Sequence, residues 1–373
     1  MKKILRTTLA VSIALALTAC NNGNKYVEPA TMDIMGSAVK GSLIGAKVQI
    51  FRASDTTFAT PLTTEPADVQ TDSNGDYSAT VVDASGNAIV GALVVKITAD
   101  DDSVMRCDAA VACADGTLRG QNIPNSEVRG LSLSTITEAK VDANGESVPV
   151  DADANILTTM ATDTVWAQIE ANPALDLNDP ATFESTQQAA STIIGEMLGV
   201  NLSTVSIFDV KVVDSTDTQA VADATTAAGD SASITNTLTS LNASFSALAG
   251  TADSSIAETI NSYVQTSAVV TTAVVKVLAE KTPGVDVDIP AALAANQAAT
   301  DALAALAASQ TALSDQATLI QSAIKTDITN NDAINVVIDT VVIPTIVPPI
   351  TVDLNDDNTV VIVTGATGVS GAN

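Results

Sequence analysis

Val48-Gln49-Ile50-Phe51, Thr71-Asp72-Ser73-Asn74-Gly75-Asp76-Tyr77 and Ala79-Thr80-Val81-Val82 are short runs rich in β-branched and aromatic residues, separated by polar turns. Asn74-Gly75 is a strong tight-turn signal, because both central positions of a two-residue hairpin turn favour positive φ. Ala88 to Thr98 adds a further run, with Val90, Leu93, Val94, Val95 and Ile97. From Ile34 to about Ala99 the chain therefore reads as antiparallel strands. Strands of this kind each need to bury one face, and an antiparallel β-sandwich is the natural packing.

Downstream the pattern changes. Residues 115–154 read as a connector, with Gly116, Gly120, Pro124, Gly130, the turn Asp142-Ala143-Asn144-Gly145, and Pro149. After it the apolar period moves from two to about three and a half. Asp179-Pro180 supplies a helix N-cap and first-turn proline, Gly199 a stop, and Phe183, Gln187, Ala190, Ile194 and Met197 lie on one face between them. Ile234, Leu238, Leu241, Phe245 and Leu248 repeat the rhythm up to Gly250. Two longer stripes follow: Ile256 to Val277, closed by Pro283-Gly284, and Leu303 to Ile324, opened near Pro290. Apolar stripes demand partner helices, so 155–328 is predicted to be an α-helical bundle. The tail, 329–373, returns to Val and Ile, and the runs Ile350 to Leu354 and Thr359 to Val363 with their four-residue turn are a hairpin candidate. Pairing within the chain or strand addition to another molecule are both open to it. The fold class expected is α+β: an N-terminal antiparallel β-sandwich, then a helical bundle, then a short C-terminal β-hairpin.

The start of the chain decides its destination. Lys2, Lys3 and Arg6 precede an apolar segment, Leu9 to Leu17, and then Leu17-Thr18-Ala19-Cys20. A cationic start, a short apolar run and small residues before a cut site make 1–19 a signal peptide, too short to span a bilayer comfortably. The Leu-x-Ala-Cys pattern resembles the lipobox of bacterial lipoproteins. That resemblance implies cleavage before Cys20 and acylation of Cys20, which becomes the first mature residue and the site of lipidation. Residues 20–32 would then be a lipidated tether. Asn21 stands where the resemblance would put Asp for inner-membrane retention, so delivery to the outer membrane is expected, anchored in lipid through Cys20. Either a periplasmic or a surface face fits.

Two further cysteines, Cys107 and Cys113, lie in Met105-Arg-Cys-Asp-Ala-Ala-Val-Ala-Cys. In an exported chain such a pair is most simply a disulfide. Closing so short a loop stabilises by only about 2 kcal/mol on the chain-entropy account, so it pins a local loop of the 33–114 unit.

Gly36-Ser-Ala-Val39, Leu43-Ile-Gly45-Ala46-Lys-Val48 and Thr71-Asp72-Ser-Asn-Gly75-Asp-Tyr77 together resemble carboxypeptidase regulatory-like (prealbumin-like) modules. The resemblance covers about a sixth of the chain. It implies a small non-catalytic sandwich that supports or docks other domains of secreted or surface proteins.

Composition excludes much else. The 373 residues hold no His, five Phe, three Tyr and one Trp, and carry a formal net charge of −27 from 43 Asp+Glu against 16 Lys+Arg. Without imidazole there is no Ser-His or Cys-His nucleophile pair and no His-ligated metal. Scattered cations on so acidic a chain make nucleic acid an unfavourable partner. No cofactor or catalytic residue is expected. The acidity fits solubility first and weak divalent-cation binding second; Asp72, Asn74 and Asp76 alternate as in a calcium loop, but Gly75 falls two positions early and Asp83 stands where the loop wants Glu. Tyr26, Phe51, Phe58 and Tyr77 read as tether or sandwich residues and Trp166 as a helical core anchor, rather than as a glycan ledge.

The reading is a non-catalytic, lipid-anchored envelope protein that binds or scaffolds an envelope or extracellular protein partner. Its alternatives are a carboxylate-based hydrolase or accessory subunit for polysaccharide processing, and a self-associating surface or matrix component.

Overall fold

The computed structural model describes residues 29–331 except 249, 251–252 and 281–288, together with 333, 334, 336 and 338. The expected signal peptide, Cys20, most of the expected tether with Tyr26, and the C-terminal hairpin candidate lie outside the described residues. The chain is mixed α+β, about 45% helix and 20% strand, with the sheet N-terminal and the helices C-terminal.

Strands β1 (Ala30–Val39), β2 (Leu43–Ile44), β3 (Lys47–Arg52), β4 (Thr64–Glu65), β5 (Val69–Gln70), β6 (Asp76–Asp83) and β7 (Gly91–Thr98) come first. β8 (Val104–Arg106), β9 (Asn122–Ile123), the single turn α1 (Asn125–Val128), β10 (Ser132–Ala139), β11 (Val150–Asp151) and β12 (Ala154–Asn155) complete the sheet region. The main sheet runs β4-β6-β1-β12-β10-β7-β3-β5, with β11 also on β1, and β2-β8-β9 form a small second sheet. The chain passes from β5 at one end of the main sheet straight into β6, next to the other end, so the sheet curls into a nearly closed barrel-like form. This differs from the two-layer sandwich expected from the sequence. The cause is the linkage of the end strands through one tight turn, which alternation within each strand does not encode.

That turn is also not of the expected type. Gly75 has φ +82° and is the only residue of the turn at positive φ, and its N–H donates to the Asp72 carbonyl at 3.0 Å. The Asp72 carboxylate accepts from the N–H of Asn74 (2.7 Å) and of Asp76 (3.0 Å). A side chain that caps the turn from its first position lets Asn74 stay at negative φ and leaves only the bulge residue to glycine. Asp142-Ala-Asn-Gly145 repeats the construction, with Asp142 accepting from Asn144 (2.8 Å) and Glu146 (2.9 Å).

The stretch 115–154, expected as a connector, carries β9 to β12. β10 pairs along its whole length with β7, from Ser132 opposite Thr98 to Ala139 opposite Gly91. β11 and β12 run parallel to β1, through Ile34 opposite Val150 and Ala38 opposite Ala154. Gly36 permits that approach: a Cβ there would lie 2.3 Å from the Ala152 carbonyl oxygen. The Tyr77 hydroxyl donates to the same oxygen at 2.5 Å. Two motif residues, Gly36 and Tyr77, thus converge on one peptide of the supposed connector.

Helices follow without a break. Asn155 ends β12 and caps α2 (Ile156–Ala171), accepting from Leu157 N (2.9 Å) and Thr158 N (3.0 Å), while Thr158 Oγ1 accepts from Asn155 N (2.9 Å). α2 is buried on most of its surface and packs on β10 as well as on α3 (Pro180–Leu198) and α6 (Ile256–Ala279). α3 starts and stops as the sequence predicts, with Asp179 accepting from Thr182 N at 2.9 Å and Gly199 at φ +71°. α4 (Thr218–Ala228), α5 (Ala232–Ser244), the short α7 (Ile289–Ala294) and α8 (Gln297–Thr329) complete the set. α6 is long and apolar enough to cross a bilayer, yet half of its apolar stretch is buried, against α2 and α8. One continuous apolar core joins sheet and helices, from Met32 and Ile34 through Leu157 and Val165 to Leu313. A smaller cluster joins α4, α5 and the end of α8 through Val221, Ala243, Ile320 and Ile324.

Candidate functional site

Two places concentrate charge in chemically distinct ways. The first is a cleft of about 440 Å³ beside β10 and α3, whose lining includes Glu138, Asp151, Glu184 and Asp209. β10 brings Glu138, β11 brings Asp151 and α3 brings Glu184; Asp209 closes a 3-10 turn, Ile207–Asp209. That turn is fixed by Ser191, whose hydroxyl accepts from Ile207 N at 3.0 Å. Gln187 ties α3 to the sheet by donating to the Ile136 carbonyl at 2.9 Å. Glu138 is paired with Lys140 at 2.8 Å. Asp209 is pushed above the usual carboxylate range by burial, with the Glu184 charge adding to it. Asp151 is pushed up by burial and by Asp153. Carboxyls that resist ionisation in an open cleft can take up a proton or a cationic group.

The second is a sealed polar hub. Lys40, at the end of β1, has no exposed side-chain surface, and Asp108 is 1% exposed. The Lys40 Nζ lies 2.9 Å from Asp108 Oδ1, 3.1 Å from Oδ2 and 3.2 Å from the Ala243 carbonyl. Asp108 also accepts from Gly41 N (2.6 Å) and from the Ser246 hydroxyl (2.5 Å). Gly41, at φ +56°, lets the chain lie against Arg106, whose carbonyl oxygen a Cβ would meet at 1.9 Å. Around this pair, Asp214 accepts from Ser42 N (3.1 Å), Ser42 Oγ (2.9 Å) and Arg106 (3.2 Å). Arg119 donates to the carbonyls of Asp108 (3.1 Å) and Ser215 (2.6 Å), and reaches Asp327 of α8 at 3.1 Å. Burial drives the Lys40 amine down and the Asp108 carboxyl up from their ordinary ranges, against their mutual attraction.

Cys107 and Cys113 meet at disulfide distance, with Sγ–Sγ 2.09 Å and Cα–Cα 5.8 Å, so the loop that presents Asp108 is closed beside it. Asp72, Asn74 and Asp76 are engaged in their own turn, and among the described residues no group of three or more His, Cys, Asp or Glu is placed to hold a metal. Among the described residues the rings do not form an exposed row. Phe51 and Tyr77 are buried; Phe58 (φ +52°) and Trp166 are half-buried and stack edge to face, Phe51–Phe58 at 5.2 Å and Phe58–Trp166 at 6.3 Å. Lys96 lies over Phe58 at 5.1 Å, and nearby Asp163 of α2 is pushed by burial to about 6, with Lys96 opposing.

Lys40, Arg106, Asp108, Arg119 and Asp214 of the hub, and Glu138, Asp151, Glu184 and Asp209 of the cleft, carry no motif in the sequence. The one local hint is Lys40 itself, a cation ending the apolar Ala38-Val39 of a strand. Compared with known protein families, curated proteins and solved structures, the chain matches none. The resemblances to lipoproteins and to carboxypeptidase regulatory-like modules therefore rest on their motif residues alone.

Proposed function

We propose that this chain is a non-catalytic cell-envelope protein, anchored in the outer membrane by lipid on Cys20, that works as a binding or scaffolding module for an envelope or extracellular protein. The observation that carries the reading is the pairing of Cys107 with Cys113 at disulfide distance, because a disulfide belongs in the oxidising compartment to which the Leu17-Thr-Ala-Cys20 signal would send the chain. Two acyl chains make attachment effectively stable where one gives only marginal binding. The sheet region serves as a carboxypeptidase regulatory-like support, a role favoured by the convergence of Gly36 and Tyr77 on the Ala152 carbonyl. The single core shared by sheet and helices suits a rigid scaffold.

Metabolic labelling with a fatty-acid analogue tests the anchor. The expected result is label on the wild-type chain, none on Cys20→Ala, and release of that variant from membranes; an unlabelled wild-type chain overturns it. Protease treatment of intact cells then separates a surface face from a periplasmic one.

A second reading, a carboxylate-based hydrolase acting on polysaccharide, is favoured by one feature: Asp209 is held protonated-leaning beside Glu184 in the open cleft. A carboxyl that holds its proton next to a second carboxylate is the kind of pair that glycoside hydrolysis uses. Polysaccharide hydrolysis by the purified protein that is lost in both Asp209→Asn and Glu184→Gln would establish it in place of the first reading.

A further inference from the structure

We propose that Lys40 and Asp108 become joined by an intramolecular isopeptide bond, the Lys40 amine condensing with the Asp108 side-chain carboxyl to form an Nζ–Cγ amide and one water. The geometry brackets the reacting carbon. Nζ touches both Asp108 oxygens, at 2.9 and 3.1 Å, so it sits beside Cγ and needs only to turn from the edge of the carboxyl to its face. Reactants held this close lose the entropic part of the barrier before the reaction begins.

Protonation favours the same outcome. In water an ammonium and a carboxylate do not condense, because the nitrogen has no free lone pair and the carbon carries an anion. Here both side chains are sealed, and burial, the leading cause for each, favours the neutral amine and the neutral acid. The neutral Nζ lone pair attacks Cγ. The oxyanion that develops on Oδ2 faces the Gly41 N–H at 2.6 Å, and Oδ1 leaves as water after gaining a proton from the Ser246 hydroxyl at 2.5 Å. Ser246 regains that proton from the nitrogen, so one amine hydrogen and the carboxyl OH depart together as water. The hydrogen left on the new amide faces the Ala243 carbonyl, 3.2 Å from Nζ, and is not orphaned.

The structure contains its own contrast. Lys211 and Asp153 are closer still, at 2.6 Å, but the Lys211 side chain is 47% exposed and remains an ordinary solvated ion pair. The Lys40–Asp108 bond would tie the end of β1 to the loop closed by Cys107–Cys113, linking the strand nearest the proposed anchor to the far part of the sheet region.

Tryptic mapping of the full-length, reduced and alkylated protein tests this without any variant. The amide blocks cleavage after Lys40, so the expected product is residues 26–47 joined to residues 107–119, one water lighter than the two peptides together. Lys211 and Asp153 are expected in ordinary unlinked peptides of the same digest. Lys40→Arg and Asp108→Ala should abolish the branched product. Recovery of residues 26–40 and of residues 107–119 as separate peptides of full mass overturns the proposal and leaves the pair as a buried salt bridge.

Discussion

Asp108 and Asp209 are the same side chain in opposite circumstances. Asp108 is sealed in the hub with the Lys40 amine and two further donors, whereas Asp209 stands in an open cleft with another carboxylate for company. Both are pushed up by burial, but only in the hub does every lone pair find a partner within the protein. A raised carboxyl is therefore no guide to function by itself. What separates the two is who answers the charge: in the hub the fold does, and in the cleft a proton or a ligand must. The hub holds the sheet to the helices; the cleft is where something else can enter.

The sharpest way to break that contrast is Asp108→Ala. It removes the group that answers Lys40 and leaves a buried amine against Ala243, so stability should fall by about 3–5 kcal/mol, the scale for stranding one member of a buried pair. Denaturant unfolding followed by circular dichroism reads it. A loss below about 1 kcal/mol would show that water reaches Lys40, and the hub would then be no more sealed than the cleft.

Asp163 lies between the extremes, half-buried on α2, with the Lys96 charge opposing its burial. Its carboxyl, pushed to about 6, sits above the unfolded value near 4, so the folded state holds its proton more tightly. The sign follows: its contribution is fully present below about pH 4 and is lost as pH rises through about 6. Asp163→Asn should flatten the stability profile across that window and raise stability at neutral pH by on the order of 2 kcal/mol. A profile unchanged by the substitution would place Asp163 with the solvated carboxylates.

How far the sequence foretells these environments depends on range. Local chemistry is legible: Asp179-Pro180 and Gly199 bound α3, the α6 stripe is a helix, and the two Asp-x-Asn-Gly turns are turns. Partnership across the chain is not. Ser132 to Ala139 lies among glycines and looks like a connector, yet it is central because β7 and β12 pair with it on either side. Barrel-like closure likewise depends on which strands become neighbours, not on alternation within any one of them. The hub is the extreme case: Lys40 is answered by Asp108, 68 residues away, and by Ala243, 203 residues away, and no local pattern announces a lysine that will be buried. The cleft fails for the opposite reason, since with 43 acidic residues in the chain no four of them stand out.

Asp209→Asn should have the smallest effect on stability, and that smallness is its use. The amide matches the protonated acid in shape, and removing a half-buried charge beside Glu184 relieves repulsion, so neutral-pH stability should stay within about 0.5 kcal/mol of wild type or rise slightly. The folded carboxyl is shifted up, so any gain should appear at neutral pH and vanish in acid, where the native side chain is already protonated. Unfolding at both pH values measures this directly. A clear loss of stability would mean that Asp209 supports the 3-10 turn at Ile207–Asp209 and belongs with Asp108 among the residues that hold the fold. An unchanged fold leaves the cleft free to be altered residue by residue, which a binding surface permits and a structural hub does not.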